Sequence, residues 1–204
     1  MSDPHYPVVA STPIYHGRIL SVRMDDVRMS DGTVAVREVV QHPGAVAIVT
    51  LDDEGQVALV HQYRHPVGTY LYELPAGLLD VPGEAPLAAA RRELFEETGL
   101  VAADWSVLLD IYTSPGMTDE VIRIYLARGI SESADRFQPE GEEITMTVTR
   151  LPLADAVARV QSGQITNAAA VAGICAAALA RDAQWRPLRP ADAPCPGEQG
   201  RAAS

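Results

Sequence analysis

Three glutamates at helical spacing are the side chains of this sequence best placed to do chemistry. Glu93, Glu96 and Glu97 follow the i, i+3, i+4 spacing, which puts three carboxylates on one side of an α-helix. At about 4 Å, two like charges repel by roughly 1 kcal/mol in a water-like medium and by about 4 kcal/mol at an intermediate dielectric. A fold that keeps such a cluster needs cations to neutralise it. All-oxygen ligands select hard cations such as Mg²⁺, which also keep waters in their shell.

The residues around these glutamates favour a helix over about 86–98. Pro86 suits a first-turn position, and Gly99 supplies a C-terminal signal. Arg92 precedes Glu96 by one turn, so it can balance one carboxylate as an i,i+4 pair. For a short EExG sequence alone, an exposed acidic helix would be the favoured explanation. The longer pattern around it favours the metal site.

This longer pattern resembles the signature of the Nudix hydrolase family, G-x5-E-x7-R-E-U-x-E-E-x-G-U, in which U is aliphatic. From the second position onward the match is complete: Glu84, seven residues, then Arg92-Glu93-Leu94-x-Glu96-Glu97-x-Gly99-Leu100. One departure lies at the front, where six residues rather than five separate Gly77 from Glu84. The extra residue falls in the turn at 79–83, before the helix, so the spacing of the helical carboxylates is unchanged.

The resemblance implies hydrolysis of the pyrophosphate in a nucleoside diphosphate linked to a second group. Mg²⁺ or Mn²⁺ would serve as cofactor, with two or more ions per active site, because such ions neutralise charge on phosphate oxygens and acidify a water. By resemblance, Glu93 and Glu97 are principal metal ligands, and Glu96 holds a further metal or its waters. The Ala76 carbonyl would complete one coordination sphere, and Arg92 would orient the carboxylates.

Features outside the signature resemble the ADP-ribose pyrophosphatase branch of the family. A proline about 15 residues past the signature marks that branch, and Pro115 lies fifteen residues beyond Leu100. The segments at 37–40, 62–64 and 73–77 also resemble it. The branch implies cleavage of ADP-ribose to AMP and ribose 5-phosphate. Hydrolysis of another nucleoside diphosphate sugar is the nearest alternative. A module that senses ADP-ribose without cleaving it is less favoured, because the signature carboxylates are intact and no DNA-binding segment is visible.

The resemblance also implies contacts with the substrate. Arg64 would contact a phosphate, Glu120 the terminal ribose, and Arg37, from the N-terminal sheet of a partner subunit, would lie near the adenine. Each of these charged residues could instead be an ordinary ion-pair partner. The remaining residues implied at the substrate site are Gly77 and Leu78 after the short strand, and Pro115 and Gly116 in the loop between two later strands.

The catalytic base is implied to be a glutamate on a loop before a late strand. Residues 139–144 contain Glu140, Glu142 and Glu143. Counting back from Pro152 favours Glu143, with Glu142 second, although an acidic solvated loop would have the same composition. Gly141 and the lack of regular periodicity suit a mobile lid that brings its carboxylate over the substrate.

The composition of the chain indicates which classes of binding partner and which cellular compartment are expected. The chain of 204 residues carries a net charge of −11, and it shows no Lys/Arg patch of the kind that nucleic-acid phosphates require. The first residues lack the pattern of a signal peptide, and the longest apolar run, 168–180, is too short to span a bilayer. Cys175 and Cys195 lack metal-ligand spacing. We expect a soluble, cytoplasmic protein that binds a small molecule, but neither nucleic acid nor a membrane.

The order of predicted elements indicates an α/β protein. Residues 1–43 are predicted to form a loose arm, at 1–14, and a small antiparallel β-sheet around the turn at 30–32. A hairpin of that size is marginal by itself, so we expect it to dock in a homodimer. Residues 44–184 form the predicted Nudix domain, an α/β/α sandwich with a mixed sheet, and the Pro-rich residues 185–204 a disordered tail. Later elements are expected at 105–112, 121–127 and 144–150 (strands) and at 153–161 and 166–181 (helices).

Overall fold

A three-stranded antiparallel sheet forms the N-terminal part of the protein. The computed structural model describes residues 6–135, 145–186 and 188–196. Strands β1 (Val8–His16), β2 (Ser21–Arg28) and β3 (Val34–Gln41) lie in that order. The hairpin predicted around residues 30–32 is confirmed: Gly32 has a φ of 86°, which glycine adopts without a steric penalty. The loose arm is wrong from Val8 onward, because the alternating segment 8–16 pairs with β2 along its length.

A five-stranded mixed sheet forms the centre of the second part. Its members are β4 (Ala45–Leu51), β7 (Ala76–Leu78), β8 (Leu100–Tyr112), β9 (Val121–Glu132) and the two-residue β11 (Arg189–Pro190). Their order is β11-β8-β9-β4-β7, with β4 and β9 parallel and the other pairs antiparallel. All seven residues of β4 are buried. Such a strand needs a hydrophobic sequence throughout because both of its faces are covered.

A smaller antiparallel sheet lies beside the central one. It contains β5 (Gln56–Arg64), β6 (Thr69–Glu73) and β10 (Thr147–Pro152), in the order β10-β5-β6. Strand β10 begins three residues later than the sequence pattern indicated. The sheet carries the chain from β5 through β6 directly into β7, so its end determines where β7 meets the central sheet.

Helices cover the two faces of the central sheet. Helix α1 (Pro86–Thr98) packs against one face and α3 (Ala168–Asp182) against the other, while α2 (Leu153–Gln161) packs against α3 and the smaller sheet. Alternate residues of β4 enter the two separate cores: Val46 and Ile48 join α1, whereas Ala47 and Val49 join α2 and α3. The predicted α/β/α sandwich is therefore confirmed. No helix in the described part of the chain is long and apolar enough to cross a membrane.

The segment 188–196 packs on the central sheet, so the predicted disorder of residues 185–204 is wrong for this stretch. Strand β11 pairs with β8, and Cys195 is buried. The buried Arg123 side chain donates hydrogen bonds to the carbonyls of Ala193 and Pro194 and pairs with Asp110. Proline content indicated disorder, but the carbonyls of this segment satisfy a buried cation, which favours its ordering.

Candidate active site

Helix α1 presents its acidic side away from the core. Ala89, Ala90 and Leu94 bury the opposite side, and Pro86 begins the helix. Gly99 ends it with a φ of 69°, and its N–H bonds to the Phe95 carbonyl. The apolar side holds α1 on the central sheet, so the carboxylates on its other side face the adjoining strand β7.

Arg92 contacts three glutamates at the acidic side of the helix. Its Nε and Nη2 donate to the two carboxylate oxygens of Glu84 at 3.1 and 3.0 Å. Its Nη1 donates to Glu93 at 2.7 Å and to Glu96 at 3.0 Å. The i,i+4 pair predicted between Arg92 and Glu96 is thus confirmed. The hydrogen bonds that Arg92 donates to Glu84 raise the pKa of Arg92 above its ordinary value and lower the pKa of Glu84. A permanently charged guanidinium therefore neutralises part of the cluster.

Strand β7 lies directly against two of the glutamates. The Ala76 N–H donates to Glu97 Oε2 at 2.9 Å. At Gly77, a Cβ atom would lie 2.0 Å from the Glu93 Cδ, far inside van der Waals contact. Only glycine leaves room for that carboxyl group. The Gly77 of the signature is therefore explained by the close approach of the Glu93 carboxyl group to the backbone.

The donor set suits a hard divalent cation. Glu93, Glu96 and Glu97 supply carboxylate oxygens, and the backbone of Ala76 lies beside Glu97, a combination that Mg²⁺ and Mn²⁺ accept. Among the described residues, however, no three acidic, histidine or cysteine side chains already surround a common point. Glu93 and Glu96 instead point at Arg92.

A cavity of about 440 Å³ opens beside β7, within the size range of small-molecule sites. It is bounded by β4, the β5–β6 connection and the start of β9. Five residues predicted from the sequence line it: Arg64, Ala76, Gly77, Leu78 and Glu120. Arg37, Pro115 and Gly116 are not among the described residues of its lining. The structure therefore brings together only part of the predicted substrate site within one protomer.

Glu120 is held at the cavity by two neighbours. The Thr113 hydroxyl donates to its Oε2 at 2.5 Å, and His42 Nδ1 lies 3.4 Å from its Oε1. The preceding loop is fastened to the N-terminal sheet, because Val40 N–H donates to the Met117 carbonyl and His42 N–H to Asp119. The ribose-contact candidate is thus connected to β3.

The other predicted residues lie elsewhere. Pro115 and Gly116 form an exposed turn, as a plain Pro-Gly turn would. Arg37 is exposed on β3, where its Nη1 donates to the Val36 carbonyl at 2.9 Å. The candidates for the base, Glu142 and Glu143, lie outside the described residues.

Two ionisable residues of the cavity lining were given no role in the sequence analysis. Glu73 and His42 both line the cavity, and Glu73 is buried with an exposure of 3%. The signal for Glu73 was a charged residue at the end of the strand segment Leu71-Tyr72-Glu73-Leu74. An ionised side chain that is itself buried is costly unless it is paired, so its partner, Arg64, could have been sought.

Known proteins share both parts of this architecture. The NUDIX domain model matches residues 41–168, and the nucleoside diphosphate sugar hydrolase N-terminal domain model matches residues 7–40. ADP-ribose pyrophosphatase from Mycobacterium tuberculosis is 47% identical, covering 92% of this chain and 91% of that protein. The ADP-ribose pyrophosphatase of Bacillus subtilis is 36% identical over 78% of this chain and 85% of its own.

Two further similarities are to a GDP-mannose pyrophosphatase and to a solved structure. GDP-mannose pyrophosphatase from Yersinia pestis is 32% identical, covering 70% of this chain and 75% of that protein. A solved structure described as an ADP compounds hydrolase superposes with a TM-score of 0.75 at 25% identity, covering 91% of this chain and 99% of the other. With the match of the family model over most of the chain, these similarities identify the protein as a member of the Nudix hydrolase family.

Proposed function

We propose that this protein hydrolyses the pyrophosphate of ADP-ribose to AMP and ribose 5-phosphate in a reaction that depends on Mg²⁺ or Mn²⁺. The observation that carries the proposal is the contact of Glu93 and Glu97 with Gly77 and Ala76. Those two β7 residues line a cavity of about 440 Å³, although the glutamates themselves are not in its described lining. The similarity to two ADP-ribose pyrophosphatases supports the choice of substrate.

The chain's own residues would hold the metal and the phosphates. Glu93 and Glu97 are the proposed principal ligands of two or more ions, with Glu96 and the Ala76 carbonyl completing the set. When bound, such ions neutralise charge on phosphate oxygens and acidify a water. Arg92 holds the carboxylates of Glu84, Glu93 and Glu96 within reach of one another.

The substrate would occupy the cavity beside β7. Arg64 is the proposed phosphate contact and Glu120 the proposed contact of the terminal ribose, since both line the cavity. The backbone of Gly77 and Leu78 would line the path of the pyrophosphate. Pro115 and Gly116 act, in this proposal, by fixing the turn from which Glu120 emerges.

Glu143 remains the proposed general base, with Glu142 as the alternative. Glu143→Gln is expected to lower kcat by roughly 10²–10⁴-fold, the range of a general base, with little change in affinity. Activity of Glu143→Gln combined with inactivity of Glu142→Gln would move the assignment by one residue. Activity of both variants would contradict a base on this loop.

A homodimer through the N-terminal sheet is part of the proposal. All nine residues of β1 are exposed, including Val8 at 53%, Ile14 at 55% and Tyr15 at 59%. Apolar groups exposed together are typical of an interface. A two-fold pairing would be isologous and would let Arg37 of each chain reach the adenine end of the neighbouring site.

Light scattering combined with kinetics tests this assembly. A dimer at micromolar concentration is expected, and Arg37→Ala should raise KM for ADP-ribose more than it lowers kcat, because its contact is remote from the reacting phosphorus. A fully active monomer would contradict the shared site. The reducing cytoplasm is the proposed compartment, in keeping with the free thiols of Cys175 and Cys195.

Hydrolysis of another nucleoside diphosphate sugar is the second candidate, supported by the similarity to GDP-mannose pyrophosphatase. The deciding experiment is a panel of nucleoside diphosphate derivatives assayed with Mg²⁺ and with Mn²⁺, with products identified by mass. The highest kcat/KM is expected for ADP-ribose, yielding AMP and ribose 5-phosphate. A higher value for GDP-mannose would favour the second candidate, and tight binding of ADP-ribose without turnover would indicate a sensing module.

A further inference from the structure

Glu73 is a buried carboxylate at the wall of the cavity beside β7. It ends β6, immediately before the Leu74-Pro75 step into β7, and its side chain is 3% exposed. Its Oε1 accepts from Arg64 Nε at 2.9 Å and its Oε2 from Arg64 Nη2 at 2.6 Å. Gln62 Nε2 donates to Oε2 at 3.3 Å. Both carboxylate oxygens are therefore engaged.

The two side chains of the Arg64–Glu73 ion pair differ in exposure, and the more exposed one is the cation. The Arg64 side chain is 41% exposed, whereas that of Glu73 is 3% exposed, and both residues line the cavity. The ion pair of Arg123 and Asp110 is different, because its side chains are 3% and 6% exposed. That second pair fastens the C-terminal segment. In the first pair, a fixed anion holds one edge of a cation whose side chain reaches solvent.

Bidentate pairing has a specific consequence for an arginine. The planar guanidinium and the carboxylate form two parallel hydrogen bonds, which fix the orientation of the group as well as its position. Arg64 lies at the end of β5, next to the one-turn 3₁₀ helix His65–Val67, where backbone pairing alone does not orient a long side chain. Two of its five N–H groups are used by Glu73.

We propose that Glu73 is a positioning residue that holds the Arg64 guanidinium in the cavity, preorganised for the phosphates of a nucleoside diphosphate substrate. The inference rests on the proposed function, because it gives Arg64 the role of a phosphate contact. Glu73 acts through Arg64 and touches no reacting atom. Ordering the cation before binding removes an entropic penalty from the binding step.

The test uses the full-length protein with the variants Glu73→Gln, Arg64→Ala and the combination of both. Glu73→Gln breaks the parallel pairing while keeping the size of the side chain. We expect KM for ADP-ribose to rise about tenfold, as for the loss of one charge-assisted hydrogen bond, and kcat to change less than threefold. The KM of the double variant should be no higher than that of Arg64→Ala, because Glu73 acts only through Arg64.

A matched control separates positioning from stability. Asp110→Asn breaks the buried ion pair with Arg123, and also the contact of Asp110 with Arg189, away from the described lining of the cavity. It should lower the unfolding midpoint while leaving KM and kcat of the folded protein unchanged. Arg64→Lys is a second probe, since lysine keeps the charge but cannot form the parallel pair. Arg64→Lys should raise KM as much as Glu73→Gln does. If Glu73→Gln does not fold, Arg64→Lys still tests the inference.

A binding measurement distinguishes failure of this inference from failure of the proposed function. Calorimetry with the α,β-methylene analogue of ADP-ribose needs no turnover. A dissociation constant about tenfold weaker in Glu73→Gln or Arg64→Lys would support the positioning role even if ADP-ribose is not the cleaved substrate. An unchanged dissociation constant in Glu73→Gln would overturn the inference. So would losses of binding affinity in Glu73→Gln and Arg64→Ala that add fully in the double variant. Either result would leave the hydrolase assignment intact.

Discussion

Replacing Gly77 with alanine is the sharpest test of the metal site, because it adds one methyl group at the point where β7 meets Glu93. Gly77 is not among the glycines with positive φ, so its backbone accepts alanine. The added Cβ would lie 2.0 Å from the Glu93 Cδ, 2.1 Å from its Oε1 and 2.4 Å from its Cγ. Carbon atoms in contact prefer about 3.5–4.0 Å. The carboxyl group must therefore move by roughly 1.5 Å.

The expected effect is a loss of activity with little loss of stability. The group that must move is the far end of a side chain, so the fold can accommodate the methyl group. Misplacing a catalytic group by about 1 Å can lower the rate roughly 10²-fold. We expect kcat/KM to fall by about that factor, equivalent to about 2.7 kcal/mol of transition-state stabilisation. The apparent affinity for Mn²⁺, followed by calorimetry, should fall as well.

Gly55→Ala is the matched control for this substitution. Gly55 lies in the turn between β4 and β5, where an added Cβ meets nothing within 4 Å, but its φ is +74°. Alanine there should cost about 1 kcal/mol of stability and leave kcat/KM unchanged. If Gly77→Ala keeps kcat/KM and Mn²⁺ affinity within threefold of the unmodified protein, the position of the Glu93 carboxyl group is not required and the proposed ligand set is wrong.

Three further changes probe other parts of the reasoning. Glu97→Gln should lower turnover by about a hundredfold or more, because a catalytic metal supplies several kcal/mol; near-normal turnover at saturating Mg²⁺ would contradict its role. Arg92 lowers the pKa of Glu84, so that carboxylate adds stability above the ordinary glutamate pKa of about 4.3 and loses it as pH falls through the lowered pKa. Melting curves from pH 7 to 2 should therefore show the deficit of Glu84→Gln shrinking below about pH 4; a constant deficit would contradict the pairing. Deleting residues 188–204 should destabilise the fold by about 1–3 kcal/mol per acceptor lost by the buried Arg123, measured by urea unfolding, whereas deleting 197–204 keeps those acceptors and should have a small effect.

The signature helix was readable from the sequence because its determinants are local. Helical periodicity places Glu93, Glu96 and Glu97 on one side, and Pro86 and Gly99 give the ends that the structure shows. The pairing of Arg92 with Glu96 followed from the same one-turn spacing. The apolar run at 45–51 is likewise local, and it forms β4, all of whose residues are buried. Each of these inferences uses residues within a few positions of one another.

Pairings between distant segments were decided only by the tertiary structure. The contact of Arg64 with Glu73 depends on the register of β5 and β6, and the place of Glu120 depends on Thr113 and His42. Segment 188–196 has the composition of a disordered tail, yet it is ordered in the fold because its carbonyls accept from Arg123. The physical reason is shared: a buried charge must find its partner in space. By itself the sequence determined the helix that carries the carboxylates. The packing of β7, β5 and β9 decided which side chains line the cavity beside β7.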